Sequence, residues 1–357
     1  MTSPTLQRLA LLRLSALGDV TLVVPVVRAI QRQHPKLNIT WIIDRSAYAL
    51  VEGLSDVNFM VINKPNSLKS YWQLRNQLKH HRFDMLLAMQ ASFRANILYP
   101  LIKAPIKIGF DKKRSRDGHG FFINRHIAPQ QEHLLEGFMR FASALGVNDL
   151  SLSWDLPIEH PHWAWAKQQL AIQPNGCWIA INPAASKVER LWMVERYATV
   201  IREAKKRWKV NILLTGGPNE FEKNLAEKII EKSGMDCLNL VGKSSMKQLA
   251  ALLGSVDVLI SPDTGPLHIA NAMGTPVIGL YAVAPPQLSG PYLFPELVID
   301  KYPQAVKEIL HRDPKTVKWG MRVHDVKAME LITVEDVMGK LSLALHLQDK
   351  EYASHHH

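Results

Sequence analysis

The run from residue 256 to residue 281 leaves this chain few choices of fold. Residues 256–260 form a short apolar segment of strand length. Asp263, Thr264 and Gly265 break it. Pro266 suits the first position of a helix, where its missing N–H costs nothing. Leu267, Ile269, Ala270 and Met273 give that helix an apolar face, and Gly274 and Pro276 stop it. Residues 277–281 are apolar again. Strand, tight turn, helix, strand is the repeating unit of a parallel, helix-covered sheet. Its turn offers backbone N–H groups at the positive end of a helix dipole, which suits a phosphate. Asp263 and His268 place polar groups beside that tip. Taken singly, each reads as an ordinary residue near a capped helix. As the set Asp-Thr-Gly-Pro-Leu-His at a strand's carboxyl end they read as a binding site, because open α/β sheets hold ligands there.

The same rhythm fills the chain. Strands are predicted at 9–14, 38–43, 59–62, 84–89, 178–181, 210–215 and 238–241. Helices are predicted at 20–33, 48–54, 70–80, 131–145, 194–207, 247–254 and 333–347, with another running from the turn at 216–220 to Ser233. Pro25 falls inside the first helix and is a candidate kink. A length of 357 residues suffices for two α/β domains with full cores. The Pro- and His-rich stretch 150–165 marks the boundary. The domains are therefore read as 1–160 and 161–332, with a helix at about 333–347 closing the chain. Residues 348–357 are a tail, ending in His355, His356 and His357, a purification-tag remnant.

Cys177 and Cys237 lie far apart, without metal or redox spacing, as expected in a reducing compartment. No run of about 18 apolar residues suggests a membrane span, and no signal-peptide pattern opens the chain. Glu132, His133 and Glu136 share a helix side and read as a solvated face rather than a metal trio. The net charge of +11 favours acidic partners. Between residues 103 and 126, Lys103, Lys107, Lys112, Lys113, Arg114, Arg116 and Arg125 face only Asp111 and Asp117, beside Phe110, Phe121 and Phe122. Such a loop is either solvated or a surface for an acidic ligand or a membrane. A polyanion-binding protein without enzymatic activity is a competing reading. No nucleic-acid motif accompanies the charge, and the cations cluster in one loop rather than along a helix. No Gly-x-Gly-x-x-Gly follows the first strand, which argues against a dinucleotide oxidoreductase.

Four motifs together resemble the ADP-heptose:lipopolysaccharide heptosyltransferases of glycosyltransferase family 9. They are Leu-Arg-Leu-Ser-Ala-Leu-Gly-Asp-Val at 12–20, Asn-Pro-Ala-Ala-Ser-Lys-Val-Glu-Arg-Leu-Trp at 182–192, Thr-Gly-Gly-Pro-Asn-Glu at 215–220 and Ser-Pro-Asp-Thr-Gly-Pro-Leu-His at 261–268. The resemblance covers about residues 8–345. It implies a GT-B fold: two Rossmann-like domains whose parallel sheets face an inter-domain cleft. The first would take the acceptor, Kdo of the inner core on lipid A, and the second ADP-heptose. The closing helix would pack back on the first domain. It further implies an inverting reaction without metal or other cofactor. The enzyme would work in the cytoplasm, peripheral at the inner membrane of a Gram-negative bacterium. The form of the 182–192 motif resembles the heptosyltransferase I branch acting on Kdo; a heptosyltransferase II type adding the second heptose is the near alternative.

Residue by residue, the resemblance makes Asp19 the general base that takes the proton of the attacking hydroxyl. Arg190 stands where the family has a Lys for the departing diphosphate, with Lys187 a rival, since either cation can meet that charge. Ser186 matches a hydroxyl near the phosphates, while Ala185 replaces a second one. Glu220 would hold the ribose hydroxyls, Asp263 would face the heptose, and His268 would lie close to the diphosphate with Thr264 and Gly265. Trp192 and Met193 are either core residues or part of an adenine pocket. Lys107, Lys112, Lys113, Arg114 and Arg116 are candidates for the acidic acceptor.

Overall fold

In the computed structural model, residues 6–63, 67–173 and 176–354 are described. The chain divides into two compact units, Met1–Pro157 and Ile158–His357, where the sequence sets the boundary at 160.

The first unit contains strands β1 (Arg8–Leu12), β2 (Asn38–Asp44), β3 (Val57–Ile62), β4 (Met85–Ala88), β5 (Ile106–Gly109) and β6 (Arg125–His126). They form one parallel sheet in the order β3-β2-β1-β4-β5-β6. Helices α1 (Leu17–Gln33), α2 (Arg45–Val51), α3 (Leu68–Leu78), α4 (Phe93–Asn96) and α5 (Leu134–Ser143) connect the strands or follow the last of them. β1 is apolar from Leu9 onward because a central parallel strand is covered on both faces. α1 is buried at Val20, Val23, Val24, Val27 and Ile30 and runs through Pro25 to Gln33.

The second unit repeats the plan. Its strands are β7 (Trp178–Ile181), β8 (Asn211–Leu214), β9 (Leu238–Asn239), β10 (Val258–Pro262), β11 (Val277–Tyr281) and β12 (Ile299–Asp300), ordered β12-β11-β10-β7-β8-β9. Its helices are α6 (His160–Leu170), α7 (Val194–Trp208), α8 (Glu220–Ser233), α9 (Met246–Leu253), α10 (Gly265–Ala272), α11 (Pro286–Ser289), α12 (Tyr302–Glu308) and α13 (Val334–Ser354). Each sheet therefore winds outward in both directions from its first strand. The strand order reverses between β1 and β4 in one unit and between β7 and β10 in the other. A doubly wound sheet opens its binding crevice at such a reversal, beyond the carboxyl ends of the strands.

In the closing helix α13, Val337, Met338, Leu341, Ala344 and Leu345 are part of the second unit's apolar core, and the helix packs on α7. One expectation needs correction: the sequence reads Glu132 as solvated. Its side chain is 5% exposed and is held by Arg114 Nη1 at 3.0 Å and Arg140 Nε at 2.7 Å. Two guanidiniums make burial of that carboxylate tolerable. His133 and Glu136 cap α5: the Leu135 N–H donates to His133 Nδ1, and the His133 N–H donates to Glu136 Oε2. His355–His357, read above as a tag remnant, lie outside the described residues.

Candidate active site

In the first unit, the chain leaves β1 at Arg13 and turns directly into α1. The helix begins at Leu17, so Asp19 lies in its first turn, not ahead of it. Asp19 Oδ2 accepts the Ala16 N–H at 3.1 Å and pairs with Arg13 Nη2. Arg13 Nη1 donates to Met89 O at 2.7 Å, at the end of the neighbouring β4, and its guanidinium lies 5.1 Å from the Phe138 ring centre. Gln90 Oε1 accepts the Leu14 N–H at 2.8 Å. The turn that carries Asp19 is thus tied to the strand across the reversal. Asp19 Oδ1 has no partner among the described residues, and the side chain is 24% exposed. Capping and an accessible carboxylate coexist on one residue.

The second unit assembles its site from the loops after β7 and β10, the two strands at its reversal. Thr264 precedes α10 in extended conformation, and its hydroxyl bonds Ser261 Oγ at 2.9 Å rather than capping the helix. Gly265 is the first helical residue and Pro266 the second, one place later than the sequence suggests; an N–H in the first turn has no partner within the helix either way. The helix tip is therefore free of a side-chain cap.

Behind the tip Asp263 is enclosed. Arg190 Nη1 lies 3.1 Å from its Oδ2 and donates to its backbone O at 2.9 Å. His268 Nε2 is 3.7 Å and the Tyr281 hydroxyl 3.4 Å from its Oδ1. Burial works to raise the Asp263 carboxyl, but the neighbouring His268 and the charges of Arg190 and Arg322 outweigh it and hold it below the ordinary value. Burial, together with the charge of Asp263, pushes the Tyr281 phenol well above its ordinary value. Arg190 spends only Nη1; its Nε and Nη2 have no partner among the described residues.

The remaining predicted donor residues separate. Ser186 and Lys187 are exposed on the loop before the short helical turn Val188–Arg190, and Lys187 makes no hydrogen bond or ion pair among the described residues. Glu220 is exposed at the start of α8, paired with Lys223 at 2.8 Å. The carboxylate folded into the glycine turn is that of Glu222, which accepts the Gly217 N–H and the Asn219 side-chain N–H. Trp192 is 2% exposed, donates to Ile332 O at 3.0 Å and packs edge-on against Tyr197, which makes it a core residue.

The five acceptor candidates divide as well. Arg114 pairs with Asp111 and Glu132, donates to Ala128 O at 2.7 Å and covers the Phe110 ring, so it braces the loop. Lys107 donates to Tyr99 O at 2.6 Å, and burial lowers its pKa. Lys112, Lys113 and Arg116 are exposed. Lys112, Arg116, Phe121 and Arg125 are among the residues lining a cavity of about 480 Å³. Arg13, Gln90, Tyr281 and Glu222 are not singled out by the sequence. Arg13 carries the one signal available, a cation set in an apolar run at a strand end.

Residues 71–304 match the family described as glycosyltransferase family 9 (heptosyltransferase). The lipopolysaccharide core heptosyltransferase OpsX of Haemophilus influenzae is 36% identical over 93% of this chain and 95% of its own length. Among solved structures, a family 9 glycosyl transferase from Veillonella parvula superposes with a TM-score of 0.77 at 21% identity, covering 95% of this chain and 97% of that one. The E. coli heptosyltransferase WaaC with ADP gives 0.70 at 20% identity, covering 95% of this chain and 100% of that one. With two parallel six-stranded sheets of the same winding, the fold is GT-B. The chain belongs to glycosyltransferase family 9, the heptosyltransferases.

Proposed function

We propose that this protein transfers heptose from ADP-heptose to Kdo of the lipopolysaccharide inner core, on Kdo-lipid A, with inversion and without a metal. The observation that carries the reading is how two Arg–Asp pairs end. Arg13 commits Nη1 to Met89 O and Nη2 to Asp19, and its Nε is buried without a partner among the described residues, while Asp19 keeps Oδ1 unpartnered. At the other pair Asp263 is enclosed and Arg190 keeps Nε and Nη2 unpartnered. A carboxylate oxygen is what deprotonates an attacking hydroxyl. A guanidinium edge beside an uncapped helix tip is what meets the charge growing on a departing diphosphate. Asp19 then serves as base in the acceptor unit. Arg190, Thr264, Gly265 and His268 hold the diphosphate, and Asp263 positions them on the sugar side.

The name of the Haemophilus relative supports a lipopolysaccharide core acceptor. Kdo is acidic, which suits a chain of net charge +11 and the exposed Lys112, Lys113 and Arg116. A lipid-anchored acceptor also calls for peripheral attachment at the cytoplasmic membrane face. No described helix is long and apolar enough to cross a membrane.

The test is Asp19→Asn assayed with ADP-heptose and Kdo-lipid A. Turnover should fall by about a hundredfold or more, while calorimetric ADP affinity stays that of the parent. Near-normal turnover would remove Asp19 from the role of base. Turnover only on acceptors already bearing one heptose would favour the second-heptose step instead.

A further inference from the structure

Phe121 is 91% exposed and Phe93 65% exposed, an unusual expenditure of apolar surface for side chains on a well-braced scaffold. Neither residue is exposed through slackness of its segment. The Phe93 N–H donates to Asp117 Oδ2 at 2.9 Å, and Asn96 Nδ2 donates to both Arg116 O and Asp117 O at 2.9 Å, so α4 and the loop before Phe121 are stitched together. His119, fully buried, sets Nδ1 2.9 Å from Asn96 Oδ1 and accepts the Phe110 N–H at Nε2. The Phe121 N–H closes a tight turn on Gly118 O at 3.0 Å; Gly118 adopts φ +76°, the left-handed region that favours glycine. Both rings are thus held out on adjoining segments.

The charges around them are predominantly positive. Arg94, Lys112, Lys113, Arg116 and Arg125 are exposed, and their side chains have no partner among the described residues. Of the two acidic residues of the loop, Asp111 is paired with Arg114, while exposed Asp117 accepts the Phe93 N–H and keeps its charge, one anion against five cations. Aromatic rings at the tip of a cationic surface match a bilayer interface with anionic headgroups, where rings enter the headgroup–acyl boundary and cations meet phosphates.

We infer that the surface formed by Phe93, Phe121 and these five cations docks the first unit onto an anionic lipid bilayer. This gives the peripheral attachment of the previous section a definite face, and it rests on that reading only in supposing a lipid-anchored acceptor.

Sedimentation with phosphatidylcholine vesicles containing about one-third phosphatidylglycerol tests it without any substrate. The full chain should bind these vesicles, release with added salt, and bind pure phosphatidylcholine far less. Phe93→Ser and Phe121→Ser should each weaken binding about tenfold, the scale of one ring removed from an apolar boundary. The double variant should keep parental turnover on a delipidated, soluble Kdo acceptor and lose turnover on acceptor embedded in vesicles. Equal vesicle binding by the double variant and the parent would overturn the inference, as would a parent chain that ignores anionic vesicles. A chain that docks but glycosylates neither acceptor would support this surface and defeat only the catalytic reading.

Discussion

His119 offers a prediction whose size follows from its surroundings. The ring is fully buried, with Nδ1 2.9 Å from Asn96 Oδ1 and Nε2 accepting the Phe110 N–H at 3.2 Å. Only a neutral ring protonated at Nδ1 satisfies both contacts. A second proton on Nε2 would face the Phe110 N–H, donor against donor. Gly109 permits this packing, since a Cβ there would stand 2.4 Å from Nε2. Burial pushes the imidazole down from 6.5 to about 4. A histidine depressed in the folded state contributes stability that is fully present above its unfolded value. That stability is lost as pH falls from 6.5 towards about 4. At about pH 5 the unfolded chain holds the proton and the folded one does not, which costs about 2 kcal/mol. For a unit of this size that lowers the melting temperature by about 4–8 °C. The assay is calorimetric melting of the first unit's transition at about pH 7 and about pH 5, for the parent and His119→Gln. All other titrating groups are shared, so the variant should shift less by that amount. Equal shifts in both proteins would refute the neutral, buried ring.

Two further outcomes follow from the second unit. Asp263→Asn leaves Arg190 facing a neutral group in an enclosed site, so stability should fall by about 3 kcal/mol and donor affinity should weaken; unchanged melting and unchanged ADP calorimetry would count against the pair. Because the Asp263 carboxyl is held low, its contribution is present above the ordinary unfolded value and lost as pH falls through the folded one, so the parent should lose stability below about pH 4 that the Asn variant has already lost. Trp192→Phe keeps an aromatic ring but deserts Ile332 O, costing about 1–3 kcal/mol with ADP affinity intact. Weakened ADP binding without lost stability would return Trp192 to an adenine pocket.

The fold was legible where burial is continuous. β1, β7, β10 and β11 read as apolar runs because each is covered on both faces, and the turn before α10 was marked by residues that cannot extend a strand. The two-residue strands β6, β9 and β12 were not legible at their true length, since so short an edge carries no period. α6 also went unread. Only Ala166 and Leu170 are buried along it, so its sequence lacks a stripe. Side-chain partnerships were the least accessible. That Arg13 meets both Met89 O and Asp19 depends on β1 lying beside β4, a neighbour 76 residues away in sequence. Glu132 was misread for the same reason, because a carboxylate defaults to solvent unless distant guanidiniums are known to await it. Glu220 and Glu222 differ by two positions on one helix start, and only the fold of the Gly216–Gly217 turn decides which carboxylate turns inward.

The two units use one wiring for opposite ends. Each sets an Arg–Asp pair at the reversal of its sheet, one partner coming from the turn after a central strand. In the first, two arginine nitrogens are taken by a backbone carbonyl and by the aspartate and the third is buried, so what remains accessible is a carboxylate oxygen. In the second, the aspartate is consumed by arginine, histidine and tyrosine contacts, so what remains is a guanidinium edge. Mutual neutralisation would make either pair chemically inert were both partners fully used. What stays accessible, anionic in one unit and cationic in the other, is one group suited to accept a proton and one suited to hold a phosphate. On the proposed reading, the same doubly wound plan, used twice, would supply both halves of a group transfer without duplicating either.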